Sequence, residues 1–300
     1  MFSKNQMLPY AFIHQNTLPH TLFRFMLASL ERYSDSVFRT LCYNHGADLT
    51  FTEMAHVGSF LRKNKGSMAK IAVKDATPVQ IQILSSNESK LERFLTDFTP
   101  FDGFQGFNLN LSCPSKAVIR QGKGAAMVKR AAKTSRLVSL IRDHGYPVSV
   151  KIRLGLNSFE KKNKLYLNNL GGVEPDFFVV HAKHAAQSSV EPEDDSVYPE
   201  CVEAARGIPV IANGGIDSSD RVQSLMEMGV GGVMMGRPAL GYAGVFDLFK
   251  NELGFNDPPK PLPDTAVLKL EYDEIYERIG GDERYREQFR RVVDRKKPSY

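Results

Sequence analysis

The sequence predicts an α/β protein, a (β/α)8 TIM barrel with a short C-terminal helical appendage, and three observations predict it. Short runs rich in β-branched and aromatic residues alternate with helix-patterned segments along most of the chain. Strands separated by helices pair in parallel through right-handed crossovers, and eight such units, counted between Phe23 and Met235, close naturally into a cylinder. The chain has 300 residues, and a barrel of this kind takes roughly 250, which leaves room for an appendage. An open doubly wound sheet, the rival arrangement, usually has fewer strands and a glycine-rich first turn that this chain lacks.

Taken in order, the first strand is expected at Phe23–Ser29 and the first helix at Asp35–Asn44. A second strand at Asp48–Thr52 and a third at Val79–Leu84 precede a helix at Ser89–Phe98, which Ser86-Asn87 caps. The fourth strand, Gly106–Leu111, leads to a helix at Ala125–Asp143 that stops before Gly145. Strands at Val148–Ile152, Phe177–Val180, Val210–Ala212 and Gly232–Met235 alternate with helices at Phe159–Asn168, Ser196–Arg206 and Ser218–Met228. Beyond Gly244 the pattern changes. Asn256-Asp257-Pro258-Pro259-Lys260-Pro261-Leu262-Pro263 reads as a semi-rigid linker, followed by helices at Thr265–Ile279 and Glu283–Asp294 that break at Gly280-Gly281. The expected organisation is an N-terminal extension over 1–22, a cofactor-binding barrel over 23–252, and a linker with a helical tail over 253–300. Some forty tail residues cannot build a core alone, so the tail is expected to dock on the barrel.

Composition narrows the class. At 42% hydrophobic and 24% charged, the chain reads as an ordinary globular protein, and it has no apolar run of the roughly 18 residues that a membrane span needs. Met1–His20 lacks a signal-peptide core and cleavage pattern. Cys42, Cys113 and Cys201 are an odd set without CxxC spacing, which indicates neither a disulfide framework nor a cysteine-built zinc site and fits a reducing cytoplasm. A net charge of +5 is modest, but its distribution is uneven: Lys116 to Arg142 holds eight Lys or Arg and no Asp or Glu. Such a stretch suits a polyanionic partner.

Catalytic residues of a barrel gather at the C-terminal ends of its strands, and polar residues of this chain do so. Glu53 follows the second strand and Gln82 lies late in the third; Asn110 and Cys113 end the fourth, Lys151 and Arg153 the fifth, His181 and Lys183 the sixth. Asn213-Gly214-Gly215 follows the seventh and Gly236-Arg237 the eighth. The last two loops commonly bind phosphate through glycine N–H groups, to which Arg237 adds a bidentate charge. Gln82, Lys151 and His181 suit the carbonyls and ring nitrogens of an isoalloxazine, and a lysine at its N1–C2 edge would stabilise the reduced anion. His181 and His184 lack carboxylate partners nearby, so no metal is expected. A thiol at a strand end beside a turn-forming proline is better placed for chemistry than for packing, although most lone cysteines are inert hydrophobes.

These residues resemble the tRNA-dihydrouridine synthase family, flavin enzymes that reduce a uracil base in tRNA. The resemblance spans roughly Phe25 to Leu248. It rests on Tyr33 to Arg39, Gly46-Ala47-Asp48 with Thr52-Glu53-Met54, the block from Asn108 to Lys129, Val150 to Gly155, Val180-His181-Ala182-Lys183 with Gln187, Ile211 to Gly214, and Met235-Gly236-Arg237. Ser112-Cys113-Pro114-Ser115 and Tyr198-Pro199-Glu200-Cys201 are similar to archaeal members. The resemblance implies that Cys113 is the proton donor and that Asn110, Arg153 and Lys183 contact the substrate. It implies FMN held by Ser29, Leu30, Gln82, Lys151, His181, Asn213, Gly214, Gly215, Gly236 and Arg237, with NADPH or NADH as reductant and tRNA as partner. Hydride from the flavin would reach uracil C6 and a proton from Cys113 would reach C5 on the opposite face; an ordinary thiol, with a pKa of about 8.5, is mostly protonated at neutral pH. Phosphate contacts from Lys116, Arg120 and Lys123 would make activity salt-sensitive.

The chain departs from the family at Ala28-Ser29-Leu30-Glu31-Arg32, where members have Ala-Pro-Met or Ala-Pro-Leu and then glycine, and at Lys183, where arginine is frequent. Two other readings stay open on sequence alone: a small-molecule flavin oxidoreductase of dihydroorotate dehydrogenase type, and a non-catalytic RNA-binding relative.

Overall fold

The computed structural model describes residues 23–295; the expected extension over 1–22 lies outside them. Nine strands form one parallel sheet: β1 (Arg24–Leu27), β2 (Thr50–Phe51), β3 (Ala55–His56), β4 (Val79–Leu84), β5 (Phe104–Leu111), β6 (Val148–Arg153), β7 (Phe178–His181), β8 (Val210–Asn213) and β9 (Gly232–Met235). The order is β1-β9-β8-β7-β6-β5-β4-β2, with β3 also on β4. A parallel bridge between Met26 and Leu49 joins the two ends, reinforced by the Leu27 N–H on the Leu49 carbonyl at 2.9 Å and the Asp48 N–H on the Phe25 carbonyl at 2.7 Å. The cylinder is therefore nearly closed, as the alternating pattern predicts.

Period-two alternation divides the strand residues between two environments. Ile81, Ile83, Leu109, Leu111, Val150, Ile152, Val180, Ala212 and Val233 join the large core under the helices. Met26, Ala28, Val179, Ile211 and Met234 belong to a separate apolar cluster inside the barrel. The corresponding positions of β4, β5 and β6 are polar: Gln80, Gln82, Asn108, Asn110, Ser149 and Lys151, all buried. One half of the interior is thus packed by contact and the other by hydrogen bonds. Buried amides are tolerated only where they find partners.

The helices start where short polar side chains cap them. Asp35 accepts from the Phe38 N–H at 3.1 Å, Asn87 from Lys90 at 2.8 Å and Asp264 from Val267 at 2.9 Å. Several expected helices are subdivided. Ala125–Asp143 is a 3-10 turn, Gly124–Met127, and a helix, Ala131–Asp143; Phe159–Asn168 becomes Ser158–Lys162 and Leu167–Gly172, with Lys164 between them at φ 52°. Helix patterning does not register these breaks, because the apolar spacing continues across them. Val245–Glu252, whose Val245, Phe246 and Phe249 are buried, is a further barrel helix that the change of pattern after Gly244 conceals.

The first tail helix, Thr265–Ile279, packs along the helix Ser36–Asn44, and the second, Glu283–Arg295, packs on the first and on Arg237–Gly241. Tyr272 and Phe289 stack at 4.1 Å, Phe38 meets Phe289 at 5.9 Å, and Glu271 bonds His45 Nε2 at 2.6 Å. Gln288 donates to the Tyr33 hydroxyl at 2.6 Å, which brings the second tail helix to the side of the barrel mouth.

Candidate active site

The polar half of the interior builds the site from below. Asn108 donates to Ser149 Oγ at 2.7 Å and accepts from Gln82 Nε2 at 2.8 Å; Gln82 Oε1 in turn accepts from Asn110 Nδ2 at 2.7 Å. Below them Ser149 bonds Gln80, whose amide reaches the Gln105 carbonyl at 3.1 Å. Each amide fixes the orientation of the next, so the ladder ends in one defined position for the Asn110 carbonyl oxygen.

That oxygen holds the catalytic candidate. Asn110 Oδ1 accepts the backbone N–H groups of Ser112 at 2.8 Å and Cys113 at 2.9 Å, turning the chain sharply after β5. Arg153 Nε donates to the Ser112 carbonyl at 2.8 Å, and the Ala125 N–H to the Cys113 carbonyl at 3.1 Å. Gly124, at φ +57°, closes against this turn; a β-carbon there would lie 2.8 Å from the Cys113 carbonyl oxygen. Cys113 is half-buried, whereas Cys42 and Cys201 are buried and burial raises both of their thiol pKa values. Of the three thiols, Cys113 is the accessible one, and its field reaches both Lys151 and Arg153.

Register places the remaining candidates on one rim. Asn110 pairs with Lys151, and Arg153, His181 and Asn213 lie level on β6, β7 and β8. Lys151 is buried, with Ser112 Oγ at 3.3 Å as its hydrogen-bond acceptor and no carboxylate paired with it among the described residues. Burial, with Arg153 adding repulsion, lowers its ammonium to about 7. Burial also pushes His181 down to about 3, leaving a neutral imidazole. A desolvated lysine lacking an anion, beside a neutral imidazole and two amides, is a donor set that fits a heterocycle bearing carbonyl and ring-nitrogen acceptors, such as the expected flavin.

Gly214 and Gly215 complete this wall. At φ +108° and +58° they adopt backbone conformations that side chains rarely take, and a β-carbon would lie 2.7 Å from His181 Nε2 or 2.4 Å from Glu193 Oε2. Asn213 Nδ2 donates to the Met234 carbonyl at 2.8 Å, fixing the loop from beneath. Gly236 begins the helix Arg237–Gly241 under Leu30, whose Cδ2 would meet a β-carbon at 3.0 Å; Arg237 itself is exposed. Ser29 and Leu30, half-buried, form the opposite lip. This turn lacks the family's proline but has other braces: Ser34 Oγ accepts the Leu30 N–H at 2.9 Å and Arg39 donates to the Ser34 carbonyl. Arg32, at the family's glycine position, has φ 69°, so the left-handed turn survives with a side chain that disfavours it.

Lys183 is placed differently from a substrate ligand. It is 2% exposed and pairs with Glu193 at 3.1 Å. Glu193 lies 3.5 Å from His181 Nε2 and 4.0 Å from Arg221. Burial opposes its ionisation, but His181 and Lys183 hold the carboxyl down to about 2. Sequence reading missed Glu193, which comes from an acidic loop (Glu191 to Asp195) with no strand-end signal. It gave no role to Thr52, whose Oγ1 accepts the Gln82 N–H at 3.0 Å, and missed Tyr285, which reaches Glu53 from the tail. Burial raises the Glu53 carboxyl to about 7.

The acid-free run also changes meaning in three dimensions. Lys129, Arg136 and Arg142 meet Glu160, Glu88 and Asp176 at 3.2, 2.9 and 2.8 Å. Lys116 and Arg120, on the exposed helix after Cys113, have no such partner among the described residues. No group of three His, Cys, Asp or Glu suited to a metal occurs among the described residues, and no helix there is long and apolar enough to cross a membrane.

Comparison with known proteins places the chain in a family. The family profile described as dihydrouridine synthase (Dus) matches residues 26–298. The tRNA-dihydrouridine synthase B of Vibrio vulnificus is 26% identical over 267 residues, covering 86% of this chain and 81% of the relative. That of Pseudomonas putida is 28% identical, covering 90% and 80%, and a probable tRNA-dihydrouridine synthase of Helicobacter pylori is 29% identical, covering 85% and 77%.

Proposed function

Since the chain belongs to the dihydrouridine synthase family, we propose that it reduces uridine in tRNA to 5,6-dihydrouridine, with FMN as its flavin and NADPH or NADH as reductant. The observation that carries this reading is the Asn110 clamp, which holds an accessible thiol at the rim where Lys151, His181 and the glycine loops converge. Gln82, Lys151, His181, Asn213, Gly214, Gly215, Gly236 and Arg237 would hold the cofactor, with Ser29 and Leu30 as the lip. Bound there, reduced FMN would supply a hydride to uracil C6.

The chain's own residues supply the rest. Cys113 gives its Sγ proton to C5, so that hydride and proton together saturate the C5–C6 bond. Asn110, already oriented by Gln82, positions the uracil, and Arg153 steadies the Ser112 carbonyl beneath the thiol. Lys151 offers a donor whose protonation near neutrality follows the charge placed against it. The uridine must leave its stack to enter a concave mouth, at a cost of about a few kcal/mol. Unpaired cations such as Lys116 and Arg120 would offset this through backbone phosphates.

The test is direct. Purified protein should be yellow and, with NADPH, should form dihydrouridine in unmodified tRNA. Oxidation of dihydroorotate without action on tRNA would replace this reading with the small-molecule one, and a colourless protein that binds RNA but cannot be loaded with FMN would replace it with the non-catalytic one.

A further inference from the structure

Next to the mouth, between the ends of β3 and β4 and the loop after Cys113, lies a cleft of about 530 Å³. Its walls include His56, Arg62, Lys90, Lys123, Gln121 and Ser85. The three cations have no carboxylate partner among the described residues. Arg62 touches Ser59 Oγ at 3.4 Å and Lys123 touches Gln121 Oε1 at 3.2 Å, both neutral. Glu88, two residues from Lys90, is taken by Arg136 at 2.9 Å, and Glu92, equally near in sequence, forms no ion pair among the described residues. Burial, then Lys90 and Arg62, lowers the Lys123 ammonium; burial, then Lys123, Lys70 and Arg62, lowers His56. Like charges gathered in a partly desolvated concavity raise one another's free energy, and an anion relieves all of them together.

The geometry points to this cleft as the seat of an RNA phosphodiester flanking the reacting uridine, an inference that rests on the tRNA reading above. Lys123 immediately precedes the turn pinned to the Cys113 carbonyl by the Ala125 N–H at 3.1 Å, so the cleft adjoins the reacting thiol. Its volume lies within the ~300–1,000 Å³ of ligand pockets and admits a nucleotide, not only a bare anion. The lining holds three cations and no Phe or Tyr, His56 being its one aromatic ring, so it favours backbone recognition over the stacking of an adenine. That combination suits a polynucleotide phosphate better than the phosphates of a nicotinamide dinucleotide.

The test uses the FMN-loaded protein with Arg62→Gln, Lys90→Gln and Lys123→Gln combined, against an Arg206→Gln control on the loop entering β8. The triple variant is expected to keep its flavin content, thermal midpoint and rate of flavin reduction by NADPH. Its Kd for unmodified tRNA should rise at least tenfold, and the slope of log Kd against log salt should fall by about 0.7 for each phosphate that is no longer neutralised. The control should change neither. Slowed reduction by NADPH with unchanged tRNA binding would assign the cleft to the dinucleotide instead and overturn the inference, as would an unchanged Kd and salt slope. Failure of the unaltered protein to form dihydrouridine would instead count against the functional reading.

Discussion

Asn110 and Cys113 are joined by a single hydrogen bond of 2.9 Å, from the Cys113 N–H to Asn110 Oδ1, and the same oxygen takes the Ser112 N–H. The Asn110 amide nitrogen donates one of its two hydrogens to Gln82 Oε1 at 2.7 Å. One side chain therefore joins the barrel's interior ladder to the loop that carries the thiol.

Replacing Asn110 with alanine strands two N–H donors and the Gln82 carbonyl oxygen. The expected cost is at least about 3 kcal/mol, because three polar groups lose their partner and each one left unpaired costs about 1–3 kcal/mol. Asn110→Asp keeps the acceptor and should retain more stability, although its carboxylate faces Gln82 Oε1 without a donor. Urea denaturation of both variants checks this ranking.

Lys151 makes stability depend on pH. An unfolded lysine stays protonated to about pH 10.4, whereas in the fold burial lowers it to about 7. Between these values the unfolded chain binds more protons, so this group's contribution makes the flavin-free protein more stable as pH rises from 7 towards 10, with the full penalty below 7. Lys151→Met should remove that dependence and stabilise flavin-free protein at neutral pH by on the order of a few kcal/mol. It should also weaken FMN binding. Denaturation at pH 7 and pH 9, alongside flavin titration, measures both effects.

Glu193 and Lys183 form a buried pair behind His181. Glu193→Gln leaves the lysine charge uncompensated and should cost about 3–5 kcal/mol. Combining it with Lys183→Met should recover most of that loss, and a double-mutant cycle would report the coupling.

Arg32 occupies the left-handed region at φ 69°. A side chain there costs about 1–2 kcal/mol, and glycine recovers part of it against a larger unfolded-state entropy. Arg32→Gly should be neutral or stabilising by up to ~1 kcal/mol, whereas the β-branched Arg32→Val should destabilise. Thermal midpoints of the two variants should move in opposite directions, or only the valine form should fall.

The barrel was legible because apolar runs alternate with amphipathic ones, and the rim because polar residues interrupt each run at the same end. Asn110, Lys151 and His181 could be assigned to one end of the barrel from strand order alone, whereas the register that sets Asn110 beside Lys151 and His181 beside Arg153 could not. Contacts made by loops were not legible. Glu193 lies beside His181 through a turn that no periodicity encodes. Tyr285 reaches Glu53 from the far end of the chain. Lys183 looked like a rim cation because alternation cannot show that a carboxylate lies behind it. The acid-free run concealed pairs for the same reason, since Glu88, Glu160 and Asp176 come from other segments.

The central claim is that Cys113 delivers the proton to the uracil. Single-turnover oxidation of pre-reduced, FMN-loaded protein by unmodified tRNA tests it most directly, comparing the unaltered chain with Cys113→Ala. Flavin content should stay the same while the rate falls by about 10²–10⁴, the usual contribution of a positioned acid. Equal rates would remove Cys113 from the chemistry.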